Sequence, residues 1–261
     1  MLLFMHMLLP RYLPTGHIFI DPDDDCDKVV DAMLKTGYSE DFCLARDFEA
    51  DFICRLMEAG FLVMSMELKD PAEEDNSAPS PDPFYILLPK LHLIRSVLYF
   101  PELHIKKTIR HLLSRYELRS DADFDLILDK CRNIHGEDWL TPPLVDIIKD
   151  LHRTAPEPKT TKGKKIQVRP TSFGLYRNGE LIAGEFGIVT GRVYTSYSGY
   201  YEEDNTGTVQ IILMVQWLEK NGFSFFDFGM PMDYKTELGA QNIDPQRFVD
   251  LFRLARNEAG T

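Results

Sequence analysis

The stretch SFGLYRNGELIAGEFGIVTGRVYTSYSGYY, residues 172–201, decides the fold class. Two runs rich in apolar and aromatic residues meet at Asn178-Gly179, a pair that accepts left-handed backbone at both central positions of a tight hairpin turn. A second glycine turn, at Gly191, follows the return run. The spacing predicts three antiparallel strands: one ending at Tyr176, one at 181–190 and one at 192–198. A polar loop, EEDNTG (202–207), then opens an apolar helix at 208–221 closed by Gly222, and FSFFDFGM (223–230) reads as one more strand.

Meander, helix and strand in that order form the core of the acyltransferase superfamily that includes the acetyl-CoA N-acetyltransferases. The expected fold is therefore α+β and GNAT-like, a mixed, largely antiparallel sheet flanked by helices. In that architecture the donor approaches the N-terminus of the helix, here Asn205 to Val209, where unpaired backbone N–H groups favour anions. The acetyl-CoA enzymes carry a basic, glycine-rich loop there. This chain has Glu203, Asp204, Asn205, Thr206, Gly207 and Thr208 instead. Two carboxylates repel a pyrophosphate, so acetyl-CoA is disfavoured as the donor.

Upstream, apolar periodicity predicts helices ending at Gly37, at 46–60, at 121–134 and at 144–153, with a last helix at 245–257. Strands are expected at 61–68 and 116–119, and two short ones within 84–100 interrupted at Pro89. PAEEDNSAPSPDP (71–83) reads as an exposed loop, and 154–170 as a mobile basic loop. A basic helix is expected at 104–115. These elements suggest an acidic N-terminal region at 1–83, a small α/β subdomain plus linker, and a GNAT-like transferase domain at 84–261.

The 261 residues carry a formal net charge of −12, and residues 21–75 hold seventeen acids against five bases. The whole excess lies in that window, so a local basic patch on the remainder is compatible with an anionic partner. Cys26, Cys43, Cys54 and Cys131 lack zinc-ligand spacing and read as reduced thiols. MLLFMHMLL (1–9) lacks a basic start and meets Pro10-Arg11, so neither signal peptide nor membrane span is expected. The expected location is cytoplasmic, with no metal and no cofactor.

From about residue 84 to 254 the chain resembles the leucyl/phenylalanyl-tRNA–protein transferases. The matching pieces are HIKKTIRHLL, DADFDLILDKC, DWL, NGELIAGEFGIVTGRVY, the Asn205 loop with its helix, FFDF and ELGAQNIDPQRFVDLF. The resemblance implies transfer of an apolar amino acid from aminoacyl-tRNA to the N-terminal amine of a protein. It places Asp227 at the family's catalytic Asp-Cys-Gln, read here as Asp227, Phe228 and Gly229. Tyr197 stands where the family has a glutamate, Asn205 in the loop whose lysine is missing, and Glu185 where the family has a glycine.

Ester-to-amine transfer needs a neutral amine, a held acyl group and a stabilised oxyanion, without an enzyme nucleophile. Asp227 is the candidate proton acceptor. Trp139, Glu185, Tyr197, Ser198 and Asn205 are candidate substrate contacts, Trp139 by stacking on the terminal adenosine. Lys106, Lys107 and Arg110, with Arg115, and the second cluster Lys159, Lys162, Lys164, Lys165 and Arg169, are candidate phosphate ligands. Phe173, Tyr176, Phe186, Met214 and Trp217 could line an acyl pocket, or serve as core. Two other readings stay open: a non-catalytic module binding a protein N-terminus or tRNA end, and an N-acyltransferase using a small donor.

Overall fold

The computed structural model describes residues 10–68, 83–154, 160–161 and 164–258. The N-terminal part holds β1 (Arg11–Tyr12), β2 (Ile18–Phe19), α1 (Cys26–Thr36), α2 (Ala50–Glu58) and β3 (Leu62–Leu68). Next come β4 (Phe84–Lys90), β5 (Arg95–Leu98), α3 (Lys107–Arg110), β6 (Glu117–Ser120), α4 (Phe124–His135) and α5 (Pro142–Thr154). The rest comprises β7 (Thr160–Thr161), β8 (Lys164–Lys165), β9 (Val168–Arg177), β10 (Glu180–Thr190), β11 (Val193–Tyr201), α6 (Thr206–Lys220) and β12 (Phe225–Gly229). Helix α7 (Asp233–Glu237), β13 (Gln241–Ile243) and α8 (Pro245–Arg256) close the chain.

Seven strands form one sheet in the order β13-β5-β12-β11-β10-β9-β6. The meander β9-β10-β11 is antiparallel, and its hairpin turns at Asn178 and Gly179 with φ of 54° and 86°. Helix α6 then crosses over to place β12 parallel to β11, giving the meander–helix–strand order expected from the sequence. Parallel pairing covers only Val193–Thr195 against Phe225–Asp227, so the two strands part beyond that point. A bulge between Phe186 and Gly187 adds to the irregularity of β11, where Tyr197 is the extra residue.

Side chains alternate across the sheet. Phe173, Tyr194, Phe226 and Phe228 pack with Met214, Val215 and Leu218 of α6. On the opposite face Phe186, Ile188 and Val193 join residues of α1, α2, α4, α5 and α8 in the largest core. That core includes Ile18, Val30, Phe52 and Val63, so the acidic N-terminal region shares its apolar interior with the sheet. Strand β4 pairs with β3 rather than with the main sheet, and loop residues Phe42 and Ala45 bridge to it. Arg256 of α8 forms a two-pronged ion pair with Asp27 of α1, and Arg253 pairs with Asp31.

Three expectations need correction. The 104–115 segment is not one helix: α3 spans four residues and a 3-10 turn covers Leu113–Arg115. Like charges at Lys106, Lys107 and Arg110 oppose each other at helical spacing, and cations at a helix start oppose its dipole. Pro89 does not interrupt the strands; it lies within β4 opposite Val63, and its carbonyl accepts the Cys43 N–H at 2.8 Å. The break falls at 91–94 instead. Finally, Val168, Arg169 and Pro170 belong to β9, where Arg169 pairs with Asp121 at 2.7 Å. Residues 71–82, and Lys159 and Lys162, lie outside the described residues, as do the side chains of Lys164 and Lys165.

Candidate active site

Asp227 is the central residue of β12 and is fully buried. Its carboxylate accepts Arg95 Nε at 2.8 Å and Nη2 at 2.6 Å, Thr195 Oγ1 at 2.9 Å and the Gly229 N–H at 3.0 Å. Four donors saturate the two oxygens. Arg95 is 1% exposed and lies 4.3 Å from the centre of the Phe248 ring. In this structure the Asp227 carboxylate, expected to take the substrate proton, has neither a vacant lone pair nor solvent access. Its geometry suits holding Arg95, and with it the junction of β5, β11 and β12.

Glu185 faces the other way. It lies opposite Phe173 on β9, in the α6 face of the sheet, whereas Asp227 and Thr195 face α8. Although a strand glutamate is usually exposed, this one is 6% exposed and its Oε1 has no hydrogen-bond partner. Burial pushes its carboxyl up to about 7, against the opposing pull of Ser196, Lys235 and Tyr194.

Lys235 of α7 is 6% exposed and donates to the Phe228 and Met230 carbonyls at 2.7 and 2.8 Å. Burial lowers its pKa, and the carboxylates of Glu185 and Asp227 act in the opposite direction. Gly229, at the end of β12, has φ of +71°, and a Cβ there would sit 3.6 Å from His92 Nε2. His92 is held neutral, its pKa lowered to about 2 by burial and by nearby Arg95, Lys90 and Lys235. Leu93, Ile94, Met230, Met232 and Tyr234 surround the strand end as exposed apolar surface.

The other candidates scatter. The Tyr197 hydroxyl accepts the Val63 N–H at 2.9 Å, on the Asp227 side of the sheet. Ser198 accepts Cys131 Sγ through its carbonyl, Trp139 is half-buried against the core, and Asn205 is exposed at the start of α6 with φ of 69°. Among the described residues no hydrogen bond joins Trp139, Ser198 or Asn205 to Asp227. The five apolar residues do not share a pocket: Phe173, Met214 and Trp217 lie on the α6 face, Phe186 on the other, and Tyr176 bonds Asp123.

Lys106, Lys107 and Arg110 are exposed, and Lys106 pairs with Glu237 of α7 at 2.6 Å. The His104 N–H also bonds the Leu238 carbonyl. The basic segment therefore adjoins the short helix that carries Lys235.

The family model described as leucyl/phenylalanyl-tRNA protein transferase matches residues 97–253. The chain belongs to the leucyl/phenylalanyl-tRNA protein transferase family. Relatives of that name from Pseudomonas putida (strain W619) and Pseudomonas fluorescens (strain Pf0-1) are each 30% identical over 161 residues, 60% of this chain and 66% of theirs. The match thus spans just under two thirds of their length. One from Azotobacter vinelandii is 27% identical over 176 residues, covering 66% of this chain and 67% of the relative.

Solved structures are more distant. FemX aligns at a TM-score of 0.43 with 9% identity, covering 92% of this chain and 84% of its own. A GCN5-related N-acetyltransferase from Kribbella flavida aligns at 0.35 with 12% identity, covering 86% and 74%. The family match takes in Glu185, Thr195, Asp227 and Lys235, but not Arg95, which lies two residues before it begins.

Arg95 and Lys235 were not among the expected site residues. Arg95 left a trace, since a lone arginine inside LHLIRSVLYF (91–100) must find an anion if the strand is buried. Lys235, in a five-residue helix without periodicity, left none.

Proposed function

We propose that this chain transfers an apolar aminoacyl group, of leucyl or phenylalanyl type, from aminoacyl-tRNA to the N-terminal amine of a protein. The observation that carries the reading is the family match, which runs through the parted strands β11 and β12 and helix α7. The chemistry needs an enclosed ester, a neutral amine and a route for one proton, and no redox group. The apolar rim of Leu93, Ile94, Met230 and Met232 suits an apolar acyl side chain. Lys107 and Arg110, free of ion pairs among the described residues, suit the phosphates of an acceptor stem on the flank marked by the Lys106–Glu237 pair. In this reading Asp227 acts through Arg95 as a positioning residue, the transferase unit begins near residue 84, and the protein works in the cytoplasm. No helix among the described residues is long and apolar enough to cross a membrane.

The test is transfer of labelled leucine or phenylalanine from charged tRNA to a peptide beginning with Arg or Lys, followed by mass spectrometry. A product heavier by one residue supports the reading. Gly229 and Tyr197, replacing the glutamine and glutamate expected from the resemblance, favour a second reading, a module that binds a tRNA end or protein N-terminus without chemistry. Binding of charged tRNA with no product across a panel of acceptors would select that alternative. Heat released on titrating an acyl-CoA would instead favour a small donor.

A further inference from the structure

Glu185 and Lys235 are two buried, oppositely charged groups where β11 and β12 part, and neither is consumed by a hydrogen-bonded ion pair among the described residues. Lys235 Nζ spends two of its three N–H donors on the Phe228 and Met230 carbonyls. Glu185 Oε1 makes no hydrogen bond of ordinary geometry, although the neighbouring Ser196 and Tyr194 hydroxyls pull on the carboxyl. Unsatisfied groups of this kind are rare in native interiors and concentrate where chemistry uses them. Asp227, by contrast, has every oxygen occupied.

We propose that Glu185 is the catalytic base of this transfer and that Lys235 is the positioning cation that holds it ionised. The inference rests on the transfer reading above. In the step, the amine nitrogen attacks the ester carbonyl of the aminoacyl-tRNA and passes its proton to a Glu185 carboxylate oxygen. The new amide C–N bond forms, the ester C–O bond breaks, and the proton returns from Glu185 to the departing 3′ or 2′ oxygen of the terminal ribose. No proton or electron is left over, so neither oxidant nor metal is required. The groups facing Glu185 are Tyr194 and Ser196 of β11 and Lys235 and Tyr234 of α7, while Cys131 of α4 feels its charge from the opposite face of the sheet. Of these, burial raises the pKa of Tyr194, Tyr234 and Cys131 away from neutrality and lowers that of Lys235 toward it, so Glu185 and Lys235 are the groups of this set poised to change charge, and the Glu185 variants assign the inflection.

The experiment compares wild type, Glu185→Gln and Glu185→Asp in transfer from leucyl-tRNA to an Arg-initiated peptide between pH 5.5 and 9, with affinity for leucyl-tRNA measured in parallel. Wild type is expected to show two rising inflections, one near 8 from the peptide amine and one near 7 from the enzyme. Glu185→Gln should lower kcat by about 100- to 10,000-fold, keep only the amine inflection and bind leucyl-tRNA as wild type does. Glu185→Asp should restore part of the rate with the enzyme inflection displaced. Wild-type product together with a Glu185→Gln variant within about threefold in rate, and the inflection near 7 intact, overturns this inference and leaves the transfer reading standing. Absence of product from wild type overturns that reading and the inference with it. Should Glu185→Gln lose the wild-type circular dichroism, the Glu185→Asp profile decides, an unmoved inflection counting against Glu185.

Discussion

Replacing Asp227 with Asn separates a structural from a chemical role for the one candidate that sequence reasoning put at the reacting centre. The substitution keeps shape but removes the charge that balances Arg95, which is 1% exposed beside a fully buried Asp227. Removing one partner of a buried pair costs about 3–5 kcal/mol, because the surviving charge remains desolvated. In a chain of this size each kcal/mol moves Tm by roughly 2–4 °C, so the expected drop is roughly 6–20 °C. Asn still accepts one or two hydrogen bonds from Thr195 or Gly229, which places its loss toward the smaller end, with Asp227→Ala losing more. Contact between Arg95 and the Phe248 ring persists in either variant and limits the loss.

Thermal melts by circular dichroism, with transfer assayed well below each variant's own Tm, read both quantities. The double replacement Arg95→Met with Asp227→Leu should recover most of the stability, since an apolar pair of similar volume often matches a buried ion pair. An Asp227→Asn variant that melts within about 2 °C of wild type and yet makes no product would refute the structural assignment, returning the proton-transfer role to Asp227.

Gly229→Gln, which restores the side chain expected from the resemblance, meets only ordinary van der Waals contacts of its Cβ with His92 and Leu62 but a φ of +71°, so it should destabilise by about 1–2 kcal/mol in urea titration. Lys107→Ala and Arg110→Ala should each reduce the slope of log affinity for leucyl-tRNA against log salt by about 0.7–0.9, whereas Lys106→Ala, already paired to Glu237, should reduce it less. Glu185 has its folded-state pKa raised from 4.5 to about 7, so its contribution is fully present below pH 4.5 and is lost as pH rises through 7. At 1.36 kcal/mol per pH unit the loss is about 3 kcal/mol, and Glu185→Gln, measured by Tm at pH 5 and pH 8, should lack it.

Local signals were legible where chemistry is local. The Asn178-Gly179 turn and the glycine after α1 are set by backbone conformation, and the helix of α8 starts where Asp244 accepts the Arg247 N–H ahead of Pro245. The site was less legible because its contacts are distant in sequence. Arg95 meets Asp227 across 132 positions, and which face of β10 carries Glu185 depends on strand register that a one-residue shift would invert. Alternation alone left Glu185 equally able to face water. The failure at 104–115 has a different cause: apolar spacing there resembles a helix, but adjacent cations oppose one, and the chain adopts tight turns instead.

Charge placement constrains the route that a tRNA could take. The acidic excess in residues 21–75 would repel a phosphate backbone if it lay beside the basic segment. Asp27 and Asp31 of α1 are instead bound to Arg256 and Arg253 of α8, which packs on the face of the sheet that holds Asp227. Lys106 lies with α7, next to the Lys235 that faces Glu185 on the α6 side. For these two acids of α1 the charge is met within the fold, on the face of the sheet opposite Glu185, so the overall charge of −12 does not by itself set an anionic donor against the basic segment.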